Sequence, residues 1–160
     1  MTTYIKALAA CLLSIAMIGC TMQEQPTQSG LLRSNFQIEH MGMQTDLYTL
    51  TNDNGMEVCF TNFGGRIVSI LVPDRHGNML DVCLGHDSIA DYIRYGYQGC
   101  NFGALIGRYG NRIKDGMFTL DGIAYQLPRN NDGNCLHGGG EVAFHNRVWQ
   151  AQPISDSSIA

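Results

Sequence analysis

The sequence is short of basic charge: ten Lys and Arg stand against fourteen Asp and Glu, a formal net charge of −4. Those ten are scattered, so the basic footprint of a nucleic-acid-binding protein is missing and that partner class is excluded. Proline is scarce as well, with four residues against nineteen glycines, which implies many turns and no proline-rich linker. No apolar run reaches the roughly 20 residues that a membrane-spanning helix needs. Five histidines occur without an H-x-x-x-H or H-E-x-x-H pair, so no metal site is expected. Gly138-Gly139-Gly140 lacks the Lys-Ser/Thr of a phosphate loop, and Gly103-x-x-x-Gly107-x-x-Gly110 misses the dinucleotide fingerprint. No nucleotide cofactor is implied by either.

What is present is enough for one domain of ordinary size. Apolar residues make up 44% and charged residues 15%, a balance that packs a core and does not stay disordered. The N-terminus carries its own signal. Lys6 precedes a twelve-residue apolar run, Ala7 to Ile18, that contains one serine. That length suits a secretory h-region, with a buried N-terminal helix as the alternative. The run closes on Met17-Ile18-Gly19-Cys20, which resembles a lipobox, with Cys20 as the lipid-attachment residue. Residues 1–19 are therefore expected to be a lipoprotein-type signal peptide and 20–34 a flexible tether. The mature chain would be exported and anchored through its N-terminal lipid, on the periplasmic or cell-surface side.

Cysteine bookkeeping follows. Cys11 leaves with the leader and Cys20 carries lipid, so Cys59, Cys83, Cys100 and Cys135 remain, at spacings of 24, 17 and 35. These match no zinc or redox pattern. Cys59 and Cys83 sit within apolar runs, where a thiol acts as a small hydrophobe, and buried free thiols are expected.

From residue 35 onward the pattern is of short strands. Phe36 to Met41, Leu47 to Thr51 and Met56 to Phe63 alternate with a period near two, and Asn52-Asp53-Asn54-Gly55 marks a turn between the last two. Arg66 to Val72 is a β-branched run ending at Pro73, followed by a hairpin connection over Pro73 to Asn78. Ser88, with Asp91 three residues later, opens one or two helical turns whose Ile89, Tyr92 and Ile93 share a face. Asp121-Gly122 joins Met117–Leu120 to Ile123–Leu127 in a type I′ hairpin. Ala151 to Ala160 shows no terminating strand. The whole predicts an all-β fold, an antiparallel sandwich or barrel that stops in mid-fold.

Three stretches in order carry a resemblance. The first is Asn62-Phe63-Gly64-Gly65-Arg66-Ile67 with Val72-Pro73-Asp74 and Asp81-Val82-Cys83-Leu84-Gly85. The second is Gly107-Arg108-Tyr109-Gly110-Asn111-Arg112-Ile113, then Phe118 and Leu120-Asp121-Gly122. The third is Asn130-Asn131 with Leu136-His137-Gly138-Gly139. Together they resemble the N-terminal half of the aldose 1-epimerase (galactose mutarotase) family, over about residues 36 to 150. The resemblance implies a galactose mutarotase-like β-sandwich, here residues 35–160 and incomplete, and a free aldohexose such as galactose or glucose as substrate. It also implies interconversion of α and β anomers by acid–base ring opening, with no cofactor or metal.

Carried over by motif, Asn111 and Arg112 bind substrate, and His137 binds substrate and assists catalysis. An arginine offers fixed N–H donors where negative charge develops on ring opening, and a histidine can donate or accept near neutral pH. Arg108 is expected in a structural ion pair. His40, His76, His86 and His145 receive no role. Gly110 stands where the family often has alanine. The family's general acid, a second histidine, and its general base, a late glutamate, are expected beyond Ala160, because Glu141 and His145 come too soon after His137. A complementing C-terminal half is therefore a candidate partner. The rival readings are a surface lipoprotein that binds sugar without turnover, and an inactive truncated remnant.

Overall fold

A computed structural model describes residues 24–96 and 99–159. The leader and Cys20 lie outside the described residues. A 3₁₀ turn, Arg33–Phe36, leads into the two-residue strands β1 (Glu39–His40) and β2 (Met43–Gln44). The main sheet follows, with β3 (Leu47–Thr51), β4 (Glu57–Thr61), β5 (Arg66–Pro73) and β6 (Met79–Asp81) in that order across it, all antiparallel. Its turns are the ones the residues demand. Gly55 (φ 79°) closes the first, where the Asn52 side chain accepts the N–H groups of Asn54 and Met56. Asp74 accepts from the backbone of His76 and Asn78 in the β5–β6 connection.

The helix α1 (Ile89–Gly96) forms as its cap predicts. The Ser88 hydroxyl accepts the Asp91 N–H and donates to the Asp91 carboxylate, satisfying an amide that the first turn leaves unpaired. Its apolar side lays Ile89 and Tyr92, both wholly buried, against Phe36, Leu47, Cys59, Phe63, Val68 and Val148. That cluster is the core, on one face of the main sheet.

The second half of the chain is built of two-stranded pieces. β7 (Arg112–Ile113) pairs with β10 (Cys135–Leu136), β8 (Met117–Leu120) with β9 (Ile123–Gln126), and β11 (Pro153–Ser155) with β12 (Ser158–Ile159). Asp121 (φ 52°) and Gly122 (φ 79°) both take the left-handed conformation that a type I′ turn requires.

Four expectations need correction. Phe36 is no strand residue: it closes the 3₁₀ turn and drops its ring into the core. The stretch set down as tether is docked from Thr27 onward. Leu31 is buried, and the buried Glu57 carboxylate accepts the N–H groups of Gln28 and Ser29; a carboxylate on the inward face of β4 needs such partners. The tail does form a strand pair, tied to the main sheet by the Thr51 N–H donating to the Asp156 carbonyl. The four cysteines are free, but only Cys59 and Cys135 are buried, with Cys83 and Cys100 half-buried. Burial pushes the Cys59 thiol pKa up, which keeps it unreactive.

Candidate functional site

The β7–β10 pair is the frame of the site. Leu136 stands opposite Arg112 in its register, and just beyond each strand end the chain turns left-handed, at Asn111 (φ 60°) and His137 (φ 50°). These two residues are joined twice. The His137 N–H donates to the Asn111 carbonyl at 2.8 Å, and the Asn111 N–H donates to His137 Nδ1 at 3.0 Å. Because Nδ1 accepts, the neutral ring carries its proton on Nε2, which is then the donor left for a ligand.

Arg112 is held flat beside this pair. Its Nε donates to Asn131 Oδ1 at 2.9 Å and its Nη1 to Asn111 Oδ1 at 3.1 Å. Both acceptors are neutral, so the guanidinium is oriented without being neutralised, and it keeps further N–H groups for an electron-rich oxygen. Asn131 was quoted in the sequence without a role. The signal for it was weak, a polar residue in a turn, and its value depends on β7 and β10 being adjacent.

Glycines allow the close approach of the segments. A Cβ at Gly138 (φ 92°) would overlap the Gly107 carbonyl, and one at Gly107 would enter the Phe144 ring. The Gly107–Asn111 and His137–Gly139 segments therefore meet backbone to backbone. Arg112 and Gly138 lie on the wall of an open cavity of about 1110 Å³, which Arg108, Phe118, Arg147 and Trp149 also line. Arg108 makes no ion pair; its guanidinium lies 5.4 Å from the Phe144 ring centroid. Among the described residues the one ion pair is Arg33 with Asp46, and no acidic side chain among them lines the cavity that Arg108 borders.

Behind the site lie two groups whose burial the sequence hides. Arg66 is wholly buried, donates to the Phe63 carbonyl and Asn101 Oδ1, and lies 4.4 Å from the Phe63 ring centroid. With no carboxylate beside it, burial pulls its pKa down to about 10. His145 is buried too, and its pKa is lowered by burial first and by the charges of Arg66 and His137 after it. Glu141 lines a separate, smaller cavity with His40, Phe63 and Tyr92. Neither His145 nor Glu141 lines the cavity that Arg112 borders.

The family model for aldose 1-epimerase matches residues 46–159, which takes in every element from β3 to β12. The chain belongs to the aldose 1-epimerase family. It is 40% identical to a probable aldose 1-epimerase of Arthroderma benhamiae over 116 residues, 71% of this chain and 26% of that protein. It is 39% identical to a galactose mutarotase of Bos taurus over 101 residues, covering 63% and 28% of the two chains. Among solved structures, an aldose epimerase homologue from C. elegans superposes with a TM-score of 0.63 at 27% identity, covering 72% of this chain and 34% of that one. The mostly β, antiparallel class expected from the sequence is therefore that of the family. The chain spans between a quarter and about a third of the length of these relatives.

Proposed function

We propose that this chain supplies the substrate-holding part of an aldose 1-epimerase that interconverts the α and β anomers of a free aldohexose, galactose or glucose. The observation that carries the reading is the joined Asn111–Arg112–His137 arrangement, in which an oriented but unneutralised guanidinium sits beside an imidazole Nε2–H. Ring opening removes a proton from the C1 hydroxyl and places electron density on the ring oxygen. Arg112 stabilises that oxygen with fixed donors, where preorganised N–H groups lower the barrier most. His137 donates Nε2–H to the same oxygen or to a neighbouring hydroxyl, and the Asn111 amide serves an adjacent hydroxyl. The C1–C2 bond then rotates and the ring closes on its other face. No cofactor takes part.

The proton-transfer pair is assigned to a part of the fold outside these residues. A positioned general acid or base contributes about 10²–10⁴-fold each, so the chain alone binds sugar and turns it over weakly or not at all. Titration calorimetry with galactose and glucose, read beside polarimetry of fresh α-anomer, tests this. Saturable binding that Arg112→Ala abolishes supports the reading, and no binding to either hexose rejects it. Binding without faster anomer exchange, even in a chain extended through the rest of the fold, favours the sugar-binding alternative.

Export and lipid attachment at Cys20 belong to the same proposal. Metabolic labelling with a palmitate analogue should mark the wild-type chain and leave Cys20→Ser unmarked; equal labelling of the two would refute it.

A further inference from the structure

The turn from β4 to β5, Asn62 to Gly65, lines no part of the large cavity, yet it holds part of the cavity wall from behind. Four successive residues of that wall are Arg147, Val148, Trp149 and Gln150. The first three run antiparallel to the turn. The Gly64 N–H donates to the Arg147 carbonyl at 2.6 Å, Phe63 bridges Val148, and the Trp149 N–H donates to the Asn62 carbonyl at 2.9 Å.

The Asn62 side chain adds a link that backbone pairing does not supply. Its Nδ2 donates to the Trp149 carbonyl at 3.0 Å and to the Gln44 carbonyl at 3.1 Å, and its Oδ1 accepts the Asp46 N–H at 2.9 Å. Both amide protons and the amide oxygen are thus engaged, on a residue only 7% exposed. Such an amide fixes three segments against one another, because a buried polar group that loses its partner is costly. The turn is itself braced. Gly64 (φ 72°) and Gly65 (φ 55°) reverse the chain, and Arg66 Nη1 donates to the Phe63 carbonyl at 2.8 Å.

What Asn62 holds is an aromatic surface. Trp149 is the one tryptophan of the chain. Its ring packs edge-on against Phe144 at 5.0 Å between centroids, and its Nε1 donates to the Phe144 carbonyl. Both residues line the cavity that Arg112 borders. A hexose has an apolar C–H face as well as hydroxyls, and an indole in the wall can cover the one while the guanidinium takes the other. The backbone at residue 149, fixed by two bonds to Asn62, sets how far the indole reaches.

We propose that Asn62 is a positioning residue for sugar binding: without touching the ligand, it sets the Trp149 indole and the 147–150 wall against the hexose that Arg112 and His137 hold. The proposal rests on the functional reading above and gives the Asn62–Arg66 stretch a place in it.

The test compares Asn62→Ala with Leu71→Ala in the full chain. Leu71 is buried too, but it pairs with Glu57 at the opposite end of the β4–β5 ladder from the turn. Urea unfolding should show both variants destabilised. At a temperature where each is folded, Asn62→Ala should weaken galactose binding several-fold, shift Trp149 emission to the red and raise its quenching by acrylamide. Leu71→Ala should leave all three at wild-type values. Equal losses of affinity in the two variants, or wild-type affinity and emission in Asn62→Ala, would overturn the proposal. If the wild-type chain binds no hexose, the functional reading fails by itself, and emission and quenching still decide whether Asn62 sets the wall. Should Asn62→Ala not fold, Asn62→Asp replaces it, keeping the shape and the acceptor for Asp46 while losing both donors. Should neither fold, hydrogen exchange in the wild-type chain decides. A Trp149 amide as protected as those of β4 supports the clamp, and one that exchanges as fast as the exposed Gly122 amide refutes it.

Discussion

The main sheet and the β8–β9 hairpin alternate their side chains alike, yet they end in opposite conditions. On β4, Glu57, Cys59 and Thr61 point inward and are buried, because β3 and β5 flank the strand and the docked N-terminal segment and α1 add to the packing. On β8 and β9 every one of the eight residues is exposed. Propensity and turn chemistry are satisfied in both, and the hairpin even has the better turn. What separates them is a second surface. Alternation says that one face of a strand is to be covered; it does not say by what. The first region finds its cover in residues 27–96 together with Val148, while the second, whose Phe118 borders the cavity of the site, does not find it among the described residues.

The strongest way to break this comparison is to attack the closed region. Phe36→Ala removes a fully buried ring, and urea unfolding should show a loss of about 3–5 kcal/mol; a loss below about 1 kcal/mol, the level of a surface change, would mean that the main sheet is no better closed than the hairpin. Next is the contact between the two glycine segments. Gly138→Ala forces a methyl group into the Gly107 carbonyl from a left-handed backbone and should cost about 1–3 kcal/mol, as overpacking does, while weakening sugar binding. Gly122→Ala, also left-handed but in open space, should leave sugar binding intact. Equal effects on binding would show that the backbone contact does not shape the site.

Arg112→Lys comes third. It keeps the charge but loses the fork that Asn131 and Asn111 orient, and calorimetry should find galactose binding weaker by roughly tenfold, about 1.4 kcal/mol, with unchanged thermal stability. The fourth effect is pH-dependent. Because burial lowers the His145 pKa below the usual 6.5, the unfolded chain takes up a proton first as pH falls. The stability that neutral His145 permits is present above that value and is lost as pH drops through and below it. Denaturation midpoints between neutral and mildly acidic pH should decline, and His145→Gln should flatten the decline; an unaltered slope would place its origin elsewhere. The smallest effect is expected on the open region. Ile123→Lys, at a side chain already 58% exposed, should change stability by no more than about 0.5 kcal/mol, and a larger loss would show that the hairpin is already covered.

Much of the fold was legible because it rests on local chemistry. Ser88 capped α1, Pro73 ended β5, and Asp121-Gly122 made the turn, each by a rule that looks only a few residues along the chain. Phe36, the segment docked on Glu57, and the tail strands were misread because their partners are distant in sequence: Gln28 and Ser29 meet Glu57, and Asp156 meets Thr51. The site divides the same way. Asn111, Arg112 and His137 were named from motif resemblance, whereas their mutual bonds, the bracing by Asn131 and the absence of a carboxylate among the described residues that line the cavity became visible only with β7 beside β10. The burial of Arg66 was invisible, since an arginine opening a strand ordinarily keeps its charged end in water.

By itself, then, the sequence determined the strand periods, the caps and turns, and the residue types able to hold a sugar, because each depends on neighbours within a few positions. The tertiary structure decided which alternating face is covered, which tautomer His137 takes, and that Arg66 lies buried without a counter-charge. Those depend on surfaces brought together from far apart in the chain, and a pattern of residues cannot state what it will meet.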